Sequence, residues 1–181
     1  MAQRFERLLD EHIDFIGRQK VFFVATAPVE GRINLSPKGM DTLRCLDDHT
    51  VAYLDLTGSG NETAAHLEEN GRMTLMFCSF DSKAAILRLY GSGRVLRPRD
   101  DQWRTMLGRF DAFPGTRQIM VMTVDAVQTS CGYAVPRYEF HSHRDTLKRW
   151  AERKGEQGLR RYWRDHNRFS IDGLPTAILE K

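Results

Sequence analysis

The sequence contains no long apolar run. Although 41% of its 181 residues are hydrophobic, no segment approaches the roughly 20 apolar residues that a membrane-spanning helix requires. Residues 1–20 alternate charged with apolar side chains and lack the apolar centre of a secretion signal. We therefore expect a cytoplasmic protein without membrane association, and its length suits one domain with its own core.

Cysteine is scarce as well. Cys45, Cys78 and Cys131 are odd in number, far apart and each surrounded by apolar residues. This pattern argues against a disulfide framework or a zinc cluster and predicts buried thiols in a reducing compartment. His141 and His143 alternate along one segment, but no third ligand is evident, so we predict no metal site.

Charge of one sign is not strongly in excess. The formal net charge is +3, and basic residues outnumber acidic ones mainly between positions 144 and 168. We interpret this stretch as a solvated helix face, because no nucleic-acid-binding motif accompanies it. The chain also lacks a nucleotide-binding P-loop and a nucleophile triad.

The hydrophobic periodicity predicts many short strands and a few helices. Helices are predicted over residues 3–17, 61–70, 99–110 and 144–165, the last one broken near Gly155 or Gly158, and residues 170–175 are predicted to be an extended arm. Strands are predicted over residues 21–26, from 32, and over 42–46, 50–57, 73–80, 84–96 and 118–129. Antiparallel hairpins around one short helix exclude a doubly wound fold and favour a mainly β (β+α) fold, a closed or split antiparallel barrel. Residues 1–140 would form this barrel with its N-terminal helix, and residues 141–181 a helical extension of the same domain.

Three polar segments stand out between the apolar runs. Residues 57–63 offer hydroxyls, glycines and backbone amides at the start of a predicted helix, which suits an anionic ligand. Residues 34–44 add amide, hydroxyl, ammonium and guanidinium groups, and residues 86–95 form a later strand. The alternative interpretation is a simple helix N-cap with Glu62 in the first turn, and strand-end surface charges at Lys38 and Arg44.

The order of these segments resembles the FMN-binding split barrels of the pyridoxamine 5'-phosphate oxidase-like superfamily. Residues 58–63, 130–136 and 170–175 are most similar to a bacterial subgroup of unassigned substrate, and the resemblance covers nearly the whole chain. It implies a six-stranded split barrel, a homodimer that holds FMN between two subunits, and an oxidoreductase acting on an unidentified small molecule. By position it also implies a set of cofactor-binding residues, without a catalytic acid or base: Asn34, Ser36, Lys38, Thr42, Arg44, Thr57, Asn61, Thr63 and Arg88.

The chain departs from true pyridoxamine 5'-phosphate oxidases in two places. Glu62 stands within a segment that is basic in those enzymes, and it would repel a second phosphate. Residues 171–176 contain neither Arg nor His to hold such a substrate. We therefore expect a flavoprotein that does not use pyridoxamine 5'-phosphate efficiently. A flavin or haem carrier or sensor without turnover, and a deazaflavin-dependent reductase, are the alternatives.

Overall fold

The computed structural model describes residues 2–179 as one antiparallel sheet with flanking helices. Its elements, in chain order, are β1 (Gln3–Phe5), α1 (Asp10–Arg18), β2 (Val21–Thr26), β3 (Asn34–Gly39), β4 (Leu43–Cys45), β5 (Thr50–Leu56), α2 (Glu62–Glu69), β6 (Arg72–Cys78), β7 (Ile86–Leu96), α3 (Trp103–Leu107), β8 (Thr116–Ser130) and α4 (Thr146–His166).

The sheet curls because its two end strands are neighbours in sequence. The strand order is β3-β2-β6-β7-β8-β5-β4, with β1 paired to β8, and all pairs are antiparallel. β3 and β4 lie at opposite ends of this order, yet only residues 40–42 connect them. The sheet must therefore bend into a half-barrel. This confirms the predicted mainly β split-barrel class, with eight described strands instead of the six expected.

The barrel interior and the outer face of the sheet carry separate apolar clusters. Inward side chains of β2, β6, β7 and β8 pack with Ala64 and Leu67 of α2. A second cluster lies under α3, where Ala52, Leu54 and Phe110 pack together. β5 therefore alternates its side chains between two buried environments, which explains why nearly all of its residues are buried.

The long β7–β8 pair depends on one glycine. The register shifts between Tyr90 and Gly91, a β-bulge that bends the strand. A Cβ atom at Gly91 would lie 1.9 Å from the carbonyl oxygen of Thr123. Only glycine allows the two backbones to approach this closely.

The predicted helix over residues 3–17 is wrong in its first half. Residues 3–5 form β1, in which Gln3 pairs with Thr129, and α1 begins only at Asp10. The apolar spacing of Phe5 and Leu8 fits either structure, because both side chains reach the barrel interior in the observed one. As a strand, residues 3–5 pair with the backbone N–H and C=O groups at the end of β8, which a helix at this position could not do.

The C-terminal elements differ from the prediction in extent. α3 covers only Trp103–Leu107 of the predicted 99–110, whereas α4 has its predicted kink at Gly155, with φ 62° and ψ 174°. Residues 170–175 form a tight turn instead of an extended arm. The Ser170 hydroxyl accepts hydrogen bonds from the backbone N–H groups of Asp172 and Leu174, which closes this turn.

The three cysteines are free, but only one is fully buried. Cys78 is buried, Cys45 is half-buried and Cys131 is exposed, so the prediction of a buried thiol is wrong for Cys131. Burial raises the pKa of Cys45 to about 11, which makes this thiol a poor nucleophile at neutral pH. No helix in the described part of the chain is both long and apolar enough to cross a membrane.

Candidate functional site

β3 carries a polar face on an edge of the sheet. Asn34, Ser36 and Lys38 alternate with the exposed Leu35 and Pro37, so the three polar side chains share the face that turns inward. Within residues 2–179, β3 pairs with β2 alone. Its other side therefore leaves backbone N–H and C=O groups without a strand partner.

Lys38 belongs to a buried ionic network at one end of this face. Its ammonium group donates to the Asp55 carboxylate over 3.1 Å, and its side chain is 21% exposed. Asp55 itself is 1% exposed and accepts two further hydrogen bonds, from Arg117 over 2.7 Å and from Gln118 over 2.8 Å. Two cations therefore face one carboxylate in the barrel interior.

The network keeps Asp55 ionised. Burial alone would raise the pKa of its carboxyl group, but the charges of Arg117 and Lys38 outweigh burial. Together with the hydrogen bonds from Arg117 and Gln118 they hold the pKa of Asp55 well below its usual range. Burial and the neighbouring Asp55 raise the pKa of Tyr53 well above the ordinary value, so this phenol stays neutral.

A second polar cluster lies at the start of β3. The Asn34 amide donates to the hydroxyls of Thr63 over 3.1 Å and Thr26 over 3.3 Å. Thr26 also contacts Nδ1 of His66 at 3.0 Å. Burial lowers the pKa of His66, so this imidazole is neutral at pH 7. The cluster joins β3 to α2 without adding a charge.

The loop into α2 is held from its carbonyl side. The Asn167 amide donates to the carbonyls of Gly58 and Ser59, over 3.2 and 3.3 Å, and Arg117 donates to that of Gly60 over 2.8 Å. The N–H groups of Gly58, Ser59 and Gly60 donate to no other residue in the described range. The loop thus keeps three backbone donors available near the positive end of α2.

Asn61 occupies the N-cap position of α2 but does not cap it. Its side chain accepts a hydrogen bond from Gln118 over 2.6 Å and donates to the Asn167 carbonyl over 3.3 Å. Thr57 is also engaged, since its hydroxyl donates to the Gly115 carbonyl and accepts from the indole of Trp163. Both predicted residues lie at this site and serve to hold its loop.

Three of the predicted residues lie elsewhere. Arg44 pairs with Ala52, which faces the outer cluster, and its guanidinium binds Asp41. The Thr42 hydroxyl donates to the Gly39 carbonyl in the turn after β3. Arg88 follows the inward-facing Leu87 on β7 and donates to the Ser130 hydroxyl, so it lies on the outer face. The structure brings together the other six: Asn34, Ser36, Lys38, Thr57, Asn61 and Thr63.

Four residues of the site were not predicted from the sequence: Asp55, Arg117, Gln118 and Asn167. A signal exists for the first three, because each places a polar or charged group inside an otherwise apolar strand. Such groups are rarely buried without partners. Asn167 follows α4, and nothing in its local sequence indicates contact with a loop that lies more than a hundred positions earlier.

Comparisons with known proteins give the family of the chain. Residues 8–131 match the family model of pyridoxamine 5'-phosphate oxidase. A relative from Aspergillus flavus, the pyridoxamine 5'-phosphate oxidase family protein ustO, is 38% identical over an alignment that spans 94% of this chain and 76% of that protein.

Two solved structures share the fold. A candidate pyridoxamine 5'-phosphate oxidase from Lactobacillus delbrueckii is 19% identical, with a TM-score of 0.55, and the match covers 68% of this chain and 94% of that chain. HupZ from Group A Streptococcus is 22% identical with a TM-score of 0.52, over 66% of this chain and 91% of that chain. Since the family model matches well over half of the sequence, the chain belongs to the pyridoxamine 5'-phosphate oxidase family.

Proposed function

We propose that the chain is an FMN-binding flavoprotein that carries out two-electron redox chemistry on a small organic molecule. The observation that carries the proposal is the polar inner face of the edge strand β3, which meets the start of α2 through Asn34 and Thr63. Family membership supports the same assignment.

The donor set of this site suits FMN. The edge of the isoalloxazine ring both donates and accepts hydrogen bonds, as do the amide of Asn34 and the free backbone edge of β3. The phosphate is a dianion, and the uncapped start of α2 offers the N–H groups of Gly58, Ser59 and Gly60. Lys38 adds a cation on the same inner face, where Asp55 holds it.

Bound FMN would supply the electron transfer, and the residues of the chain bind and orient it. Asp55 fixes the ammonium of Lys38 at the inner face of β3, and Arg117 and Gln118 in turn fix Asp55. Because Asp55 stays ionised, Lys38 retains its counter-charge at neutral pH. We assign no catalytic acid or base.

Cofactor identification tests the proposal directly. We expect protein purified from its natural host to absorb as a flavin and to release FMN on denaturation, as measured by mass spectrometry. FAD, a deazaflavin or haem in the released fraction would replace FMN in the proposal. A colourless protein that binds no flavin on titration would refute it.

Lys38→Gln is the matching single-residue test. It should weaken FMN binding by about tenfold or more, the contribution of one hydrogen bond to a charged group. Arg7→Gln is the control, because this arginine forms a surface ion pair with Asp48 and is not among the predicted cofactor-binding residues. Fluorescence titration of flavin into the apoprotein measures both.

We further propose that the protein is a homodimer in the cytoplasm. Arg88 lies on the outer face of its own sheet, so it can join a β3 site only as a residue of a second copy. Three free cysteines suit a reducing compartment. Light scattering should report twice the mass of one chain, and a flavin-loaded monomer would contradict the dimer.

The proposed reaction does not extend to pyridoxamine 5'-phosphate. Both carboxylate oxygens of Glu62 accept the N–H of Ile171, so a negative charge is held at the first turn of α2. With the flavin phosphate already at the N–H groups before α2, a second phosphate would meet both that dianion and Glu62 and would be repelled. In a steady-state assay of pyridoxal 5'-phosphate formation we expect kcat/KM well below about 10⁴ M⁻¹s⁻¹, the low end of ordinary enzymes.

A further inference from the structure

An open cavity of about 610 Å³ adjoins Lys38 at the end of β3. One wall comes from β2 and β3, and the other from α4 and the residues before it, including His143 and Arg153. This second wall lies outside the part of the chain that matches the family model. Its volume is in the usual range of small-molecule sites, about 300–1,000 Å³.

The cavity concentrates positive charge that its own lining does not neutralise. Lys20, Arg144 and Arg153 line it together with Lys38, and no carboxylate does so in the described part of the chain. Lys38 has Asp55 beneath it, but the side chains of Lys20, Arg144 and Arg153 form no hydrogen bond or ion pair with other described residues. Like charges held around one space repel each other, and a bound anion would relieve that repulsion.

Apart from Gly39, His143 and Thr146, the rest of the lining is apolar. Trp150 and Leu147 of α4 face Met40, Pro37 and Val21 across the cavity. The indole of Trp150 offers a flat surface, and it is held edge-to-face by Tyr162 at 5.1 Å between ring centroids. A ligand with a flat apolar body and a negative group would match both parts of the lining.

We propose that this cavity binds an organic anion, a carboxylate or phosphate ester with a planar apolar body, as the molecule presented to the flavin. The substrate role rests on the proposed flavin function. The cavity disfavours substrates with an ammonium group, such as pyridoxamine 5'-phosphate, because no described carboxylate lines it.

Titration calorimetry on the FMN-loaded protein tests this inference with four probes of one size: benzoate, phenyl phosphate, benzamide and benzylamine. We expect the two anions to bind at least about tenfold more tightly than neutral benzamide, because only the anions form a charge-assisted hydrogen bond with the cations of the lining. Benzylamine should bind most weakly. Quenching of tryptophan fluorescence by the anions should be largely lost in Trp150→Phe.

Variants locate the binding. Arg153→Gln and Lys20→Gln should each raise the dissociation constant of the preferred anion by about tenfold. Arg149→Gln is the matched control, an exposed arginine of the same helix that does not line the cavity, and it should change nothing. Thermal melting and FMN content of each variant confirm that the fold is retained.

Three outcomes would overturn the inference: equal affinity for benzamide and the anions, anion affinity unchanged in both Arg153→Gln and Lys20→Gln, or no anion binding at millimolar concentration. Measuring FMN content on the same samples separates the two proposals. Anion binding at the cavity of a protein that takes up no flavin would refute the proposed function alone. A flavin-loaded protein that binds no anion would refute the cavity assignment alone.

Discussion

At the scale of single residues, the stability of the site depends on the carboxylate of Asp55. Removing its charge leaves Arg117 buried without a counter-ion, because Arg117 is 4% exposed and has Asp55 as its ion-pair partner. Buried pairs are costly to break for this reason.

We therefore predict that Asp55→Asn lowers the free energy of unfolding by about 3–5 kcal/mol, as measured by urea denaturation. Asp48→Asn is the control, since it removes a surface ion pair with Arg7 and should cost less than about 1 kcal/mol. Equal losses in the two variants would show that the Asp55 network adds nothing beyond a surface pair.

The wild type and Asp55→Asn should also differ in their response to acid. The folded pKa of Asp55 lies below that of an unfolded aspartate, about 3.9. Its contribution is therefore complete above about pH 4 and is lost as the pH falls further towards the folded pKa. The stability difference between wild type and Asp55→Asn should shrink below about pH 4.

The polar positions of β3 could be predicted from the sequence, but their main partners could not. Asn34, Ser36 and Lys38 are readable because alternation in a strand places them on one face. Asp55 and Arg117 lie 62 positions apart on different strands, and only the sheet register brings them together. Arg44 shows the converse limit, since its chemistry suits an anion but its strand face points away.

At the scale of elements, several strands were predictable because they alternate between buried and less buried positions. β2 is an example, with every second residue buried. The short β1 was not, because three residues carry no periodicity that could distinguish a strand from a helix start. These residues form a strand because they pair with the free edge of β8.

Two glycine substitutions should act in opposite directions. Gly91→Ala should destabilise the protein by about 1–3 kcal/mol or more, because its Cβ would overlap the Thr123 carbonyl at the β7–β8 bulge. Gly17→Ala should stabilise it by about 0.5–1 kcal/mol, since this glycine lies in α1 with open space around a new Cβ. Thermal and urea unfolding of both variants measure the two effects.

At the scale of the whole molecule, the C-terminal segment is part of the site. Asn167 has no exposed surface, and its side chain contacts Gly58, Ser59 and Arg117. Arg97 holds the segment further on, by donating to the carbonyl of Thr176 over 2.7 Å. The loop that precedes α2 is therefore positioned from the far end of the chain.

We predict that Asn167→Ala both destabilises the fold, by about 1–3 kcal/mol for the polar groups left unpaired, and weakens flavin binding. Asn70→Ala is a matched control at the other end of α2, where the amide donates to Ala27 and accepts from Arg72. It should lower stability to a similar degree with flavin affinity unchanged. A loss of flavin affinity in both variants would show that the loss results from lower stability alone.

The position of β8 in the sheet has a consequence for biosynthesis. This strand pairs with β1, β5 and β7, yet it spans residues 116–130 and follows all the other strands of the described sheet along the chain. A nascent chain that ends before β8 leaves β1 without its partner strand. It leaves β5 paired only with the short β4. The barrel cannot close on the ribosome until β8 has emerged from the exit tunnel. During synthesis, the edges of the apolar strands made earlier therefore stay unpaired until β8 is available. Chaperone binding would matter most in this interval.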